Sequence, residues 1–209
     1  MMKRFVLMLQ QRLRTASYWV AIGIIMLCLA LHLAGLADQL RFDRHAIETG
    51  KPWLLLTGNF VHLGTSHLMM NMLGFVLVVT LVWEHFNWIE WVLVTLFSSL
   101  VVCVGLYFFD PDINFYVGFS GTLHGVIVAG CLADLRHYPK SAALLLALVA
   151  AKLIWEQLAG PLPGSEDVAG GNVVVNSHLY GAIGGAIIGA VLVVLQKRRL
   201  TTKINAAQD

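Results

Sequence analysis

Gly118-Phe119-Ser120-Gly121-Thr122-Leu123-His124-Gly125 opens an apolar run long enough to lie in a membrane. A serine between glycines, with a histidine one helical turn later, is out of place in hydrocarbon, where every polar group needs an internal partner. The reading of the chain turns on what Ser120 can meet, and on whether that partner makes it a nucleophile.

Around this stretch the chain is strongly apolar. Its 209 residues are 58% hydrophobic and only 12% charged, with a mean hydropathy of +0.74. A soluble domain averages about 25% charged residues. The composition is that of an all-α integral membrane protein, expected as a single membrane domain over residues 1–209. A net charge of +2 gives no pointer to nucleic acid, and no nucleic-acid partner is expected. Cys28, Cys103 and Cys131 all sit inside apolar runs. Free cysteine behaves there as a small hydrophobe, so neither a disulfide nor a cysteine metal site is expected, and no cofactor.

Hydropathy divides the chain into six spans, at about residues 18–36, 66–83, 88–109, 117–133, 141–158 and 178–195. The first holds 19 residues without a formal charge. At about 1.5 Å per residue it covers roughly 28 Å, one bilayer core. A cleaved signal peptide is the rival reading, since Gly35-Leu36-Ala37 offers small residues, but signal h-regions run only about 7–15 residues. Residues 1–15, with Lys3, Arg4, Arg12 and Arg14, read as an interface-lying segment. Ala37 to Phe60 reads as a long polar loop, and Asp110-Pro111-Asp112 ends the third span, because proline cannot continue a helix. Six spans place both termini on one side. That side carries ten Lys/Arg outside the spans against three on the other, so both termini are expected in the cytoplasm. His67, Asn71, Ser120 and His178 then all fall toward the outer ends of their spans.

Each of these residues has a plain structural reading beside a chemical one. A serine hydroxyl becomes a nucleophile when a base takes its proton, and histidine is the usual base. Ser120 and His178 lie on different spans. Gly121 and Gly125 on one, and Gly181, Gly185 and Gly189 on the other, have the small-residue spacing that lets two helix backbones approach closely. Taken singly, Ser120 bonding a carbonyl and His178 acting as interhelical glue explain as much. His67 and Asn71 are four apart, on one helix face, and two donors aimed at one point suit an oxyanion; packing glue is the alternative. His124 shares a face with Ser120 and rivals His178 as base, but a same-helix pair tends to stack. His62, His67 and His124 raise a metal site, for which no His-Glu-x-x-His pattern and no acidic ligand at that depth is found, so no metal is expected. Lys152 and Glu156 form an i,i+4 pair in the outer half of the fifth span. Intramembrane charges are by default functional, and a structural ion pair is the equal alternative.

Together, in this order, the motifs resemble the rhomboid family of intramembrane serine proteases. The resemblance is carried by His67-x-x-x-Asn71, Gly118-x-Ser120-Gly121 and His178-x-x-Gly181-x-x-x-Gly185, over about residues 50–195. It implies a Ser120–His178 dyad with no acidic third member. His67, Asn71 and the Ser120 amide would form the oxyanion hole. Gly118 and His124 would stand behind the dyad, His124 stacking on His178. Trp53 falls where many rhomboids have Trp-Arg, but Leu54 follows here. A finer match is to the rhombosortase subgroup, through Ser120-Gly121-Thr122-Leu123-His124-Gly125 and Lys152-Leu153-Ile154-Trp155-Glu156-Gln157. That match implies a bacterial inner membrane with the active site toward the periplasm. It also implies exported substrates whose C-terminal tail joins a Gly-rich site, an apolar helix and basic residues. Lys152, Glu156 and Trp53 are then candidates for substrate or membrane-lipid contact. A catalytically inactive helix clasp would need the groove without the dyad. A small transporter would need charges in both membrane halves and an inverted repeat, and neither is visible.

Overall fold

The computed structural model describes residues 2–205, with side chains for 16–199 and 201. Helix α1 (Met2–Leu33) runs unbroken from the expected interface segment into the first apolar stretch. It ends in a Schellman turn. Gly35 takes φ +66°, its N–H donates to the His32 carbonyl, and the Leu36 N–H reaches back to Leu31.

The stretch expected as a polar loop is instead built into short elements. They are α2 (Ala37–Leu40), β1 (Phe42–Asp43), α3 (Arg44–Glu48), α4 (Leu54–Thr57) and a 3-10 turn (Gly58–Phe60). Then come α5 (Thr65–Val82), α6 (Trp88–Phe109), β2 (Phe115–Tyr116), α7 (Ser120–Asp134), α8 (Pro139–Ala159), α9 (Ser165–Ala169) and α10 (Val175–Asn205). β1 and β2 pair antiparallel, Phe42 opposite Tyr116 and Asp43 opposite Phe115. The local reasons are legible. Asn87 caps α6 by accepting from the Ile89 and Glu90 N–H groups, while Glu90 accepts from the Asn87 N–H. Pro139 opens α8, where its missing N–H costs nothing.

Among the described residues five helices, not six, are long and apolar enough to cross a bilayer: α1, α5, α6, α8 and α10. The stretch expected as a fourth span, residues 117–133, yields only the 15-residue α7. Its first residues are used otherwise, because Val117 to Phe119 form a turn after β2, with Gly118 at φ +117°. At about 1.5 Å per residue α7 is roughly 22 Å long, short of the ~30 Å hydrocarbon core. It packs against α5, α6, α8 and α10, with α10 along most of its length. Ten of its residues are buried, six of them Gly, Ala or Thr. The core beside it is aromatic: Trp83 and Trp91 stack at 3.9 Å, and Phe75 meets Phe119 edge to face.

Two polar clamps fix the ends of the helices that carry the site. Arg44 donates to the carbonyls of Leu106, Tyr107, Asp110 and Ile113 at 2.8–3.1 Å, placing a positive charge at the C-terminal end of α6 and on the turn that follows. Asp110 in turn accepts from Asn176 and from the Tyr180 hydroxyl, tying the end of α6 to the start of α10. Behind α7, Thr122 donates to Asn59 at 2.9 Å, and the Asn59 amide donates to the Ser99 carbonyl at 3.1 Å. This network locks the 3-10 turn, α6 and α7 together.

Candidate active site

Ser120 is the first residue of α7, so its own N–H belongs to the set a helix leaves unpaired, at the positive end of the dipole. Its Oγ lies 2.9 Å from Nε2 of His178, which stands on the first turn of α10. The approach depends on glycine. A Cβ at Gly181 would overlap the Gly121 carbonyl, and one at Gly185 would overlap that of Gly125. The two backbones touch, and the short serine side chain reaches the ring of the neighbouring helix.

The other face of the His178 ring is occupied. Nδ1 lies 2.9 Å from Oε2 and 3.1 Å from Oε1 of Glu156, on α8. Oε1 also receives the Lys152 ammonium at 2.7 Å. The Glu156 side chain is 2% exposed and that of Lys152 29%. So Glu156 does not face lipid, and it is more than half of an ion pair. The three side chains run as Ser120–His178–Glu156, an acid standing where the resemblance implied none. A sequence signal for it existed: Glu156 sits at the outer end of its span, level with His178. The i,i+4 spacing to Lys152 left a structural ion pair as the equal alternative, and only the fold shows that the carboxylate faces His178.

His124 stacks on His178, centroids 4.4 Å apart at 23°, and its Nδ1 bonds the Ser120 carbonyl at 2.7 Å. That bond directs it to the backbone rather than to Oγ. His124, Glu156 and His178 also bring three ligand atoms within 4.8 Å. The Lys152 ammonium already supplies the positive charge beside that carboxylate and would repel a divalent cation.

Opposite Ser120, α5 presents His67 and Asn71. His67 Nδ1 and Asn71 Nδ2 are buried and have no hydrogen-bond partner among the described residues. A buried polar atom without a partner is costly unless something arrives to bond it, and the Asn71 amide nitrogen can only donate. Gly118 makes room for them: a Cβ there would stand 2.7 Å from the His67 ring, and its φ disfavours any side chain. The Tyr116 hydroxyl donates to the Gly118 carbonyl at 2.8 Å and the Gly118 N–H to Gly58, fixing the turn. Sequence reasoning missed Tyr116, because it belongs to a two-residue strand that no periodicity reveals. It also missed Arg41, whose guanidinium lies 4.0 Å over the Phe115 ring.

All these groups open onto one cavity of about 380 Å³, lined by Ser120, His178, His67, Asn71, Lys152 and Arg41, with apolar walls from α5, α7 and α9. Trp53 is not part of it; its indole is 54% exposed on the surface.

His62 lies behind His67, ring centroids 5.1 Å apart at 83°. It is 1% exposed, and neither ring nitrogen has a partner among the described residues. Burial first, then repulsion from His67 and His32, pushes its pKa from 6.5 down to about 3. The unfolded chain therefore binds the proton that the folded chain refuses, and this contribution to stability is lost as pH falls from 6.5 toward about 3. The chemical-denaturation midpoint should drop through this window in the wild type. His62→Leu should flatten the drop without loss at pH above about 8, since no hydrogen bond is removed. An unchanged pH slope in the variant would contradict a neutral His62.

The Rhomboid domain matches residues 49–195. The chain belongs to the rhomboid family. Rhomboid proteins are in general intramembrane serine proteases, and the apolar helices make this one a multi-pass membrane protein. No curated protein matches the chain. The rhomboid match spans every residue of the cavity described above except Arg41.

Proposed function

We propose that this rhomboid protein is an intramembrane serine protease of the rhombosortase kind, cutting the C-terminal anchoring tails of exported proteins in a bacterial inner membrane. The observation that carries the reading is the 2.9 Å contact of Ser120 Oγ with His178 Nε2, at a cavity also lined by His67 and by Asn71, whose amide donor is unpartnered among the described residues. α7 would serve as a sixth, enclosed crossing, with both termini cytoplasmic and the cavity toward the periplasm. The Lys/Arg distribution supports that orientation.

In the mechanism, a tail helix enters from the bilayer and unwinds near its Gly-rich site. Each glycine lowers the cost of unwinding by roughly 1 kcal/mol relative to alanine. Ser120 Oγ bonds to the scissile carbonyl carbon while its proton passes to His178 Nε2. The carbonyl oxygen becomes an oxyanion facing His67, Asn71 and the Ser120 N–H. His178 returns the proton to the leaving nitrogen as the C–N bond breaks. The ester is then resolved by water, or by an amine acceptor that would make the reaction a transfer. The exposed Trp53 and the Lys152 ammonium at the cavity wall suit contact with lipid or tail.

Co-expression with a secreted reporter bearing a Gly-rich site, an apolar helix and a basic tail tests this. Mass spectrometry should find a new C-terminus inside the Gly-rich site, unmodified for hydrolysis or amine-capped for transfer. An intact reporter alongside cleavage of an unrelated membrane helix would favour a rhomboid protease of general substrates. Asn71→Ala should slow cleavage by about 10²–10³-fold, the usual loss for one oxyanion donor. Near-wild-type rates would remove Asn71 from that role.

A further inference from the structure

We propose that Glu156 is a positioning residue that sets the tautomer of His178 against an opposing demand from Lys152. The proposal rests on reading Ser120 and His178 as nucleophile and base. Two groups face His178 Nδ1: the Glu156 carboxylate at 2.9 and 3.1 Å and the Lys152 ammonium at 3.4 Å. They ask for opposite things. An ionised carboxylate only accepts hydrogen bonds and an ammonium only donates, while a neutral imidazole carries one N–H.

With the proton on Nδ1, directed to Glu156, Nε2 keeps its lone pair toward Ser120 Oγ and can take a proton. With Nδ1 accepting from Lys152, the ring proton moves to Nε2, which then donates to Ser120 and cannot act as its base. Glu156 decides the matter twice over. It is the nearer partner of Nδ1, and its Oε1 occupies the ammonium at 2.7 Å. During attack it also faces the imidazolium that forms when the Ser120 proton reaches Nε2. Lys152 offsets the carboxylate's charge in a site where a buried, unpaired carboxylate would be costly. The same lysine becomes harmful if the acid is removed.

This arrangement makes an unusual prediction for Glu156→Gln. The lysine can only donate, so it takes the amide oxygen and turns the amide N–H₂ toward Nδ1. That forces the unproductive tautomer. Fluorophosphonate labelling of the full-length protein in nanodiscs should slow by about 10³–10⁴-fold, the scale known for an acid-to-amide change that fixes the wrong tautomer. Adding Lys152→Met frees the amide to present its oxygen. The double variant should label faster than Glu156→Gln alone by about tenfold, a coupling within the range of contacting residues. A merely structural ion pair predicts the reverse, with the double variant no better than the single.

Selective ¹⁵N-histidine NMR gives a readout that needs no activity. The wild type should show the His178 proton on Nδ1, and Glu156→Gln should show it on Nε2. A wild-type proton on Nε2, labelling of a folded Glu156→Gln within a few-fold of wild type, or a double variant no faster than the single would each overturn the proposal. Failure of the protease reading looks different: Ser120→Ala would label like wild type, while the wild-type NMR would still report the tautomer.

Discussion

Ser120→Ala should abolish covalent labelling by a fluorophosphonate probe and all cleavage of a tail reporter, while the protein stays folded. Removing the nucleophile or base of a serine protease costs on the order of 10⁶ in turnover, because the two act as one unit. Little stability is at stake. The serine gives up one hydrogen bond, to His178 Nε2, worth about 1 kcal/mol net. His178→Ala should be nearly as inactive, since no other ring among the described residues is aimed at Oγ: His124 spends its Nδ1 on the Ser120 carbonyl. The measurement is labelling in membranes followed by gel fluorescence, with thermal unfolding as the control for folding. Labelling that survives His178→Ala but not His124→Ala would move the base to His124. A folded wild type that never labels, in membranes or in detergent, would turn the reading toward an inactive helix clasp.

The second large effect is steric. Gly181→Ala and Gly185→Ala should each cut labelling by at least about 10²-fold, the cost of roughly 1 Å misplacement of reacting groups. A Cβ at either position overlaps a carbonyl of α7, and real Cβ contacts essentially never fall below 3.0 Å, so α7 and α10 must part. The overpacking also costs about 1–3 kcal/mol of stability, which a thermal midpoint reads separately. Gly23→Ala on α1 is the matched control. Nothing among the described residues lies within 4 Å of its would-be Cβ, and a glycine in mid-helix costs about 0.5–1 kcal/mol against alanine, so this change should stabilise slightly. Retained activity in Gly181→Ala would show that the Ser120–His178 contact tolerates a wider helix spacing than the glycines suggest.

What could be read from the chain beforehand follows a physical divide. The glycine spacing of α7 and α10 announces a close backbone approach, and the structure shows it at Gly121–Gly181 and Gly125–Gly185. His67 and Asn71 share a helix face by periodicity, and both border the cavity with Ser120. The start of α7 was not legible, since Val117 to Phe119 are as apolar as a helix and only the φ of Gly118 shows the turn. Nor was the role of Arg44. Its partners are four carbonyls far along the chain, and backbone acceptors leave no mark on sequence. Glu156 was hidden differently. Spacing along the chain pairs it with Lys152 but does not tell which helix its second oxygen meets, and that oxygen is the one nearest His178.

The short, enclosed α7 has a consequence for how this sequence can vary. A helix that meets lipid is selected for oiliness and forgives exchange among large apolar residues; Trp19, Ile22, Met26 and Leu33 on α1 are of that kind, exposed on the outside of the bundle. α7 is screened by its neighbours on nearly every side, so what it must conserve is volume. Random libraries should therefore divide by side-chain size on α7 and by polarity on α1. The positions drifting most freely would be those that look most hydrophobic, and the strictest would be small residues with little hydropathy at all.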